Sequence, residues 1–168
     1  MSKFVNICGP VVADTVYSEN KLVARDVSAT LPAVTPMTAD LPAMGTLSMP
    51  VWQLIENMEA AINKIGLDMG LRSIITPDMK PLELRWVQTV TDANGRNRNV
   101  GCKAFLRGIP NKLPEIGLEV GSAIEHEVTI ALTRYNLFVD GVEMFLIDRL
   151  AGKVRIAGKE YANMDSML

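Results

Sequence analysis

The dipeptide Asp140-Gly141 constrains this chain more than any other feature. It lies inside EVTIALTRYNLFVDGVEMFLIDRLAGKVRIAGKEY, residues 127–161, between two runs of strand-forming residues. A two-residue type I′ turn needs positive φ at both central positions, and Asp-Gly is a favoured pair for it. The flanking runs are therefore predicted to form an antiparallel hairpin. Counted outward from the turn, Val139 faces Val142, Leu137 faces Met144 and Tyr135 faces Leu146, which gives one apolar face. The other face sets Phe138 opposite Glu143, Asn136 opposite Phe145 and Arg134 opposite Ile147. A hairpin with one solvated face is polar on that face. A mixed face belongs under a helix or against another subunit. A second turn is expected at Ala157-Gly158.

Upstream, the pattern breaks into short pieces. Residues 3 to 8 read as a first strand and Val11 to Asn20 as a loop. Val23, Arg25, Val27, Ala29 and Leu31 share one parity, so a strand is expected there. Pro32, Pro36, Pro42 and Pro50, four of the nine prolines, then fall close together. Proline cannot donate to a β-ladder, so residues 32–50 are expected to form a long extended arm without a sheet of their own. Long segments of this kind are usually functional or ordered by a partner. Val51, Leu54, Ile55, Met58, Ala61, Ile62 and Ile65 fall on one helical face, which by periodicity alone predicts a helix over 51–65. After Pro81, Leu82, Leu84 and Trp86 alternate with Glu83, Arg85 and Val87, as in a strand. Asn94-Gly95 is a further hairpin signal, followed by a return strand from Val100 to Leu106. Residues 108–122 read as a loop, and the tail 162–168 as frayed.

The sequence TRYNLFVDGVEMFLIDRLAGKVRIAGKEY resembles the C-terminal signature of the major tail tube proteins of contractile-tailed phages and related bacteriocin particles. The matching features are a tyrosine-led strand (Tyr135), a D-G turn (Asp140-Gly141), a strand ending in I-D (Ile147-Asp148) and a last short hairpin around Gly158. Two upstream pieces are similar as well. VARDVSATLP, residues 23–32, matches a strand ending in L-P. AFLRGIPNKLPEIGLEVGSAIEHEVTI, residues 104–130, matches a strand, an R-G, a variable loop and a second strand. The resemblance spans residues 22–161. It implies strand, not helix, for the segment NMEAAINKIG, with a short helix at Leu67 to Ile75 ended by Thr76-Pro77. It further implies a mainly β, sandwich- or barrel-like fold with one short α-helix and an extended arm at 32–50. By the same resemblance, hexameric rings of the chain stack into a hollow conduit for DNA and tape measure protein inside a contractile sheath. The implied partners are further copies of the chain, the tail sheath protein, the tape measure protein, and baseplate and tail terminator proteins. DNA passes the lumen without specific binding. The implied location is the virion tail, after assembly in the host cytoplasm.

Composition is compatible with this reading. One domain over residues 1–168 is the natural expectation for 168 residues, and 48% hydrophobic residues suffice for a core. A formal charge of −2 does not mark a basic nucleic-acid binder. No apolar run reaches the length of a membrane span, and the first residues do not read as a secretory signal. Cys8 and Cys102 are expected to be free thiols packed as small hydrophobes.

Little chemistry is legible, so no catalytic, cofactor-binding or metal-binding residue is assigned. The lone His126, between Glu125 and Glu127, could be a general base. The plainer expectation is a solvent-facing position in the strand EHEVTI. A zinc site needs three or four ligands, which one histidine and two distant cysteines do not supply locally. The loop DANGRN resembles the start of a calcium loop, but Arg96 occupies an oxygen-ligand position. Arg96, Arg98, Lys103 and Arg107 form a basic group on one predicted hairpin, readable as phosphate contacts or as a solvated loop with intersubunit ion pairs. Met37, Met44 and Met49 on the arm are apolar side chains that need a partner to cover them. The reading is a structural tube subunit and not an enzyme. Its alternatives are the tube of a DNA-free bacteriocin or type VI-like particle, and a small β-barrel enzyme or ligand-binding module.

Overall fold

A computed structural model describes residues 7–168. The strand expected at residues 3 to 8 lies mostly outside the described residues. The chain opens with β1 (Ile7–Ser18), β2 (Lys21–Arg25), β3 (Ser28–Thr30), β4 (Pro36–Pro42), β5 (Thr46–Ile55) and β6 (Met58–Ile65). A short helix, α1 (Gly70–Ile75), leads to β7 (Pro81–Thr91), β8 (Asn97–Lys112) and β9 (Glu125–Val139). The chain closes with β10 (Val142–Asp148), β11 (Lys153–Ile156), β12 (Lys159–Asn163) and the single-turn α2 (Met164–Met167).

Ten strands make one antiparallel sheet in the order β12-β11-β10-β9-β8-β7-β1-β2, with β6 on β9 and β3 on β6. The long β9 organises it. One edge of β9 pairs with β6 over Glu125–Leu132 and then with β10 over Arg134–Val139. Its other edge pairs with β8 along most of its length. At the changeover, the Arg149 N–H donates to the Thr133 carbonyl and the Thr133 hydroxyl donates to the Arg107 carbonyl. Only Asp26 and Val27 separate β2 from β3, so the chain leaving β1 arrives at β6 and the sheet curls back on itself. The curl encloses Val16, Met58, Ile62, Leu106, Val128 and Ile130, each no more than 2% exposed. β10, β11 and β12 continue the sheet and add Ile147, Val154 and Ala162 to the same core.

Side-chain alternation fixes this arrangement. On β8, Val100, Cys102, Ala104 and Leu106 point inward while Gly101, Lys103, Phe105 and Arg107 point out. Leu82 and Leu84 are buried as their alternation predicts. The turns follow the same logic. Asp140 and Gly141 have φ of 52° and 78°, the positive pair expected of a type I′ turn, and the turn expected at Ala157-Gly158 has the same signs at 51° and 80°.

Several expectations need correction. Residues 51–65 are two strands, not a helix, as the family resemblance implied. Met58, Ala60, Ile62 and Lys64 are the buried set, with period two, and the helical spacing arises because two strands meet at Glu56-Asn57. Val11 to Asn20 is strand for most of its length, not loop. The strand expected at 23–31 is broken at Asp26, whose φ is 50°. β8 runs on to Lys112, leaving a loop only from 113 to 124. The helix expected at 67–75 begins at Gly70, where an added Cβ would meet the Val23 carbonyl carbon at 3.1 Å. The tail 162–168 is not simply frayed: β12 runs to Asn163 and α2 follows. In the 127–148 hairpin, a bulge between Glu143 and Phe145 shifts the register by one residue. Leu137 therefore faces Phe145 and Tyr135 faces Ile147, while Asn136 faces Leu146 and Arg134 faces Asp148.

Candidate assembly surfaces

The arm is the most conspicuous surface. It is extended as expected, but it forms a sheet of its own: β4 and β5 pair as a two-stranded ribbon. Prolines are tolerated because a two-stranded ribbon bonds along one edge only, leaving N–H positions that need no donor. The register sets Met37 opposite Val51, Ala39 opposite Met49 and Leu41 opposite Leu47. The alternate pairs are Thr38–Pro50, Asp40–Ser48 and Pro42–Thr46. One face is thus wholly apolar and the other largely polar, with the Ser48 hydroxyl donating to Asp40 at 2.6 Å. On the apolar face Met37, Leu41, Leu47 and Met49 are between 43% and 48% exposed, and Met44 at the tip is fully exposed. The base of the ribbon is closed where the Glu56 N–H donates to the Thr35 carbonyl at 2.9 Å. A lone ribbon is marginally stable in water, and a contiguous apolar face of this kind marks an interaction site.

The sheet also has open ends. β2 and β12 terminate the strand order. Both carry charged residues, Lys21 and Arg25 on one and Lys159 and Glu160 on the other, which discourage indiscriminate pairing.

The candidate chemical residues do not converge. His126 is buried, not solvent-facing, and its Nε2 lies 2.9 Å from the Gly66 carbonyl. Its cross-strand neighbour Lys64 is also buried and donates to Asp68 at 2.6 Å. Glu125 and Glu127 point outward, so no base flanked by carboxylates exists. The Lys64 ammonium holds the Asp68 carboxyl below its ordinary range, chiefly through that hydrogen bond. Tyr135 is buried beside Phe145 in the core, and burial pushes its phenol up to about 12. Cys102 is a buried free thiol pushed up by burial, whereas Cys8 is free but exposed, contrary to the expectation of packing. Arg98 reaches Asp140 at 3.4 Å across the β8–β9 end, while Lys103 and Arg107 lie farther along the outer face of β8, so the basic group is dispersed. Among the described residues no group of three His, Cys, Asp or Glu could hold a metal ion. No described helix is long and apolar enough to cross a membrane.

The outer face of β8, β9 and β10 is mixed as predicted, but the bulge sets Leu146 and Asp148 there in place of the expected Phe145 and Ile147. Neither helix covers it: α1 packs on β2 at the far end of the sheet. It presents Phe105 and Phe138 edge to face, with Arg107 directly opposite Arg134. The roles of Arg134 and Asn136 in this patch were not assigned from sequence.

The family model described as phage tail tube protein FII matches residues 13–164. No curated protein matches the sequence. Among solved structures, the fold is similar to a chain in the cryo-EM structure of an extracellular contractile injection system, the PVC sheath–tube complex in its extended state. The TM-score is 0.54 at 14% identity, covering 77% of this chain and 90% of that chain.

Proposed function

The chain belongs to the phage tail tube protein FII family, and from that premise we propose how this structural, non-enzymatic subunit builds its tube. Rings of about six subunits close by heterologous contacts, which close only when the rotation between neighbours permits. The rings then stack through the β4–β5 hairpin. The carrying observation is that hairpin: it is formed, amphipathic and uncovered in the single subunit. Covering Met37, Leu41, Leu47 and Met49 on an adjacent ring removes apolar surface from water, worth roughly 25 cal/mol per Å². A contractile sheath surrounds the tube, the tape measure protein occupies it during assembly, and baseplate and terminator proteins cap its ends. DNA passes the lumen without specific binding, and the assembled chain resides in the virion tail after cytoplasmic assembly. The likeness to an injection-system tube chain favours a second reading, a particle that carries no DNA. The two share every assembly step and differ in cargo.

Replacing residues 37–51 by a short Gly-Ser link tests the stacking role. The expected product keeps the body fold by circular dichroism and forms rings but no tubes in negative stain. Tubes of normal length from this variant would contradict the role given to the hairpin.

A further inference from the structure

The outer face of the sheet contains an anion-seeking groove, and the same chain exposes a segment built to fill it. Resting on the tube reading above, we infer that loop 113–120 of one subunit seats on the Phe105–Phe138–Arg107–Arg134 face of a second copy.

The groove is about 310 Å³ and is lined by Phe105, Arg107, Arg134, Asn136 and Phe138. Its floor is aromatic: the Phe105 and Phe138 rings stand 5.6 Å apart at 87°, and Phe105 is 38% exposed. Its rim is cationic. Arg107 and Arg134 are directly opposed across β8 and β9, and like charges in that position repel. Other arginines on this face have carboxylate partners, Arg85 with Glu83 at 2.6 Å and Arg155 with Glu143 at 2.8 Å. Arg107 and Arg134 have none among the described residues. Asp148, which faces Arg134, accepts instead from the Ala151 N–H at 3.0 Å. Between the rings, Asn136 is 7% exposed and its buried Oδ1 has no hydrogen-bond partner. A buried acceptor without a donor costs about 1–3 kcal/mol, so the wall of the groove is strained as it stands, beside two unpaired guanidiniums.

The loop after β8 has the complementary defect. Residues 113–120 read LPEIGLEV, with Glu115 and Glu119 set among apolar residues. Leu113, Ile116, Leu118 and Val120 are all exposed, Leu118 at 80%. Two carboxylates spaced among apolar side chains match two guanidiniums flanking two aromatic rings. Arginine takes carboxylates bidentately, which fixes orientation as well as charge. Loop and groove are different surfaces of one chain, so their union is heterologous and leaves a free loop and a free groove at its ends until a ring closes.

Charge reversal tests this directly. A loop variant, Glu115→Arg with Glu119→Arg, and a face variant, Arg107→Glu with Arg134→Glu, should each fold but lose ring and tube formation alone. Mixed in equal amounts they should assemble, because the reversed loop of one suits the reversed face of the other in alternation. Circular dichroism checks folding. If the face variant misfolds, a benzophenone placed at position 118 of the otherwise native chain gives the second measurement. It should cross-link a neighbouring copy at the β8–β9 peptides containing Phe105 and Phe138. Assembly of the loop variant alone at wild-type concentrations, failure of two folded variants to co-assemble, or cross-links elsewhere would overturn the inference. Failure of the unmodified protein to assemble at all would instead remove the tube reading on which it rests.

Discussion

Gly108 is where the sheet turns its corner, and adding a single methyl group there should be costly. It follows Arg107 at the register shift between β8 and β9, where β9 changes its other partner from β6 to β10. A Cβ at this position would overlap the Ala131 carbonyl oxygen and come within 2.9 Å of both the Ala131 carbonyl carbon and the Leu132 Cα. These are backbone atoms of a paired strand, so no side-chain rotation can relieve the clash. Gly108→Ala must push β9 away or bend β8, and overpacking of this kind costs about 1–3 kcal/mol. For a chain of this size each kcal/mol lowers the melting temperature by about 2–4 °C. A fall of about 2–12 °C in Tm is therefore expected, with a matching fall in urea midpoint and no change in slope. Gly101, on the same strand, is the control. An added Cβ there meets nothing within 4 Å, so Gly101→Ala should be neutral or stabilising by up to about 1 kcal/mol. Equal stability of the two variants would refute the claim that close strand approach, rather than glycine content, sets the requirement.

Two further perturbations follow from buried polar groups. His126→Ala removes the ring that meets the Gly66 carbonyl and should cost about 1–3 kcal/mol in urea unfolding, while folded protein still assembles; loss of assembly at full stability would restore a functional role for the histidine. Asp68→Asn should lower the Tm at pH 7, because Lys64 then lacks its carboxylate. The Asp68 pKa is depressed in the folded state, so its contribution is present above the unfolded value and lost as pH falls through the folded one. The gap between variant and wild type should accordingly close on acidification, and a gap independent of pH would show that the ion pair does not act.

The hairpins were the most legible part of the fold, because Asp140-Gly141 favours its own turn geometry and Gly158 marks the second turn. The register beyond the first turn was not legible. A bulge at Met144 leaves no mark in the alternation, since Met144 and Phe145 are both acceptable on either face. His126 carried a signal that its acidic neighbours obscured: it shares parity with Val128 and Ile130, the inward residues of β9. Residues 51–65 show the limit of periodicity, because two consecutive strands with a break between them imitate a helical stripe. The hairpin at 36–55 was hidden by its prolines, although Met37, Ala39 and Leu41 already alternate with Thr38, Asp40 and Pro42. The mixed face of the 128–148 hairpin was legible as mixed, but neither helix covers it. The opposition of Arg107 and Arg134 on that face was not legible, because it depends on the register between β8 and β9.

The most direct test of the whole account is a cryo-EM reconstruction of tubes assembled from the purified protein. The account predicts stacked rings of about six subunits closed by heterologous contacts, with the apolar face of β4–β5 covered by the next ring. A soluble monomer at all concentrations, or tubes in which Met37, Leu41, Leu47 and Met49 remain exposed to solvent, would contradict it.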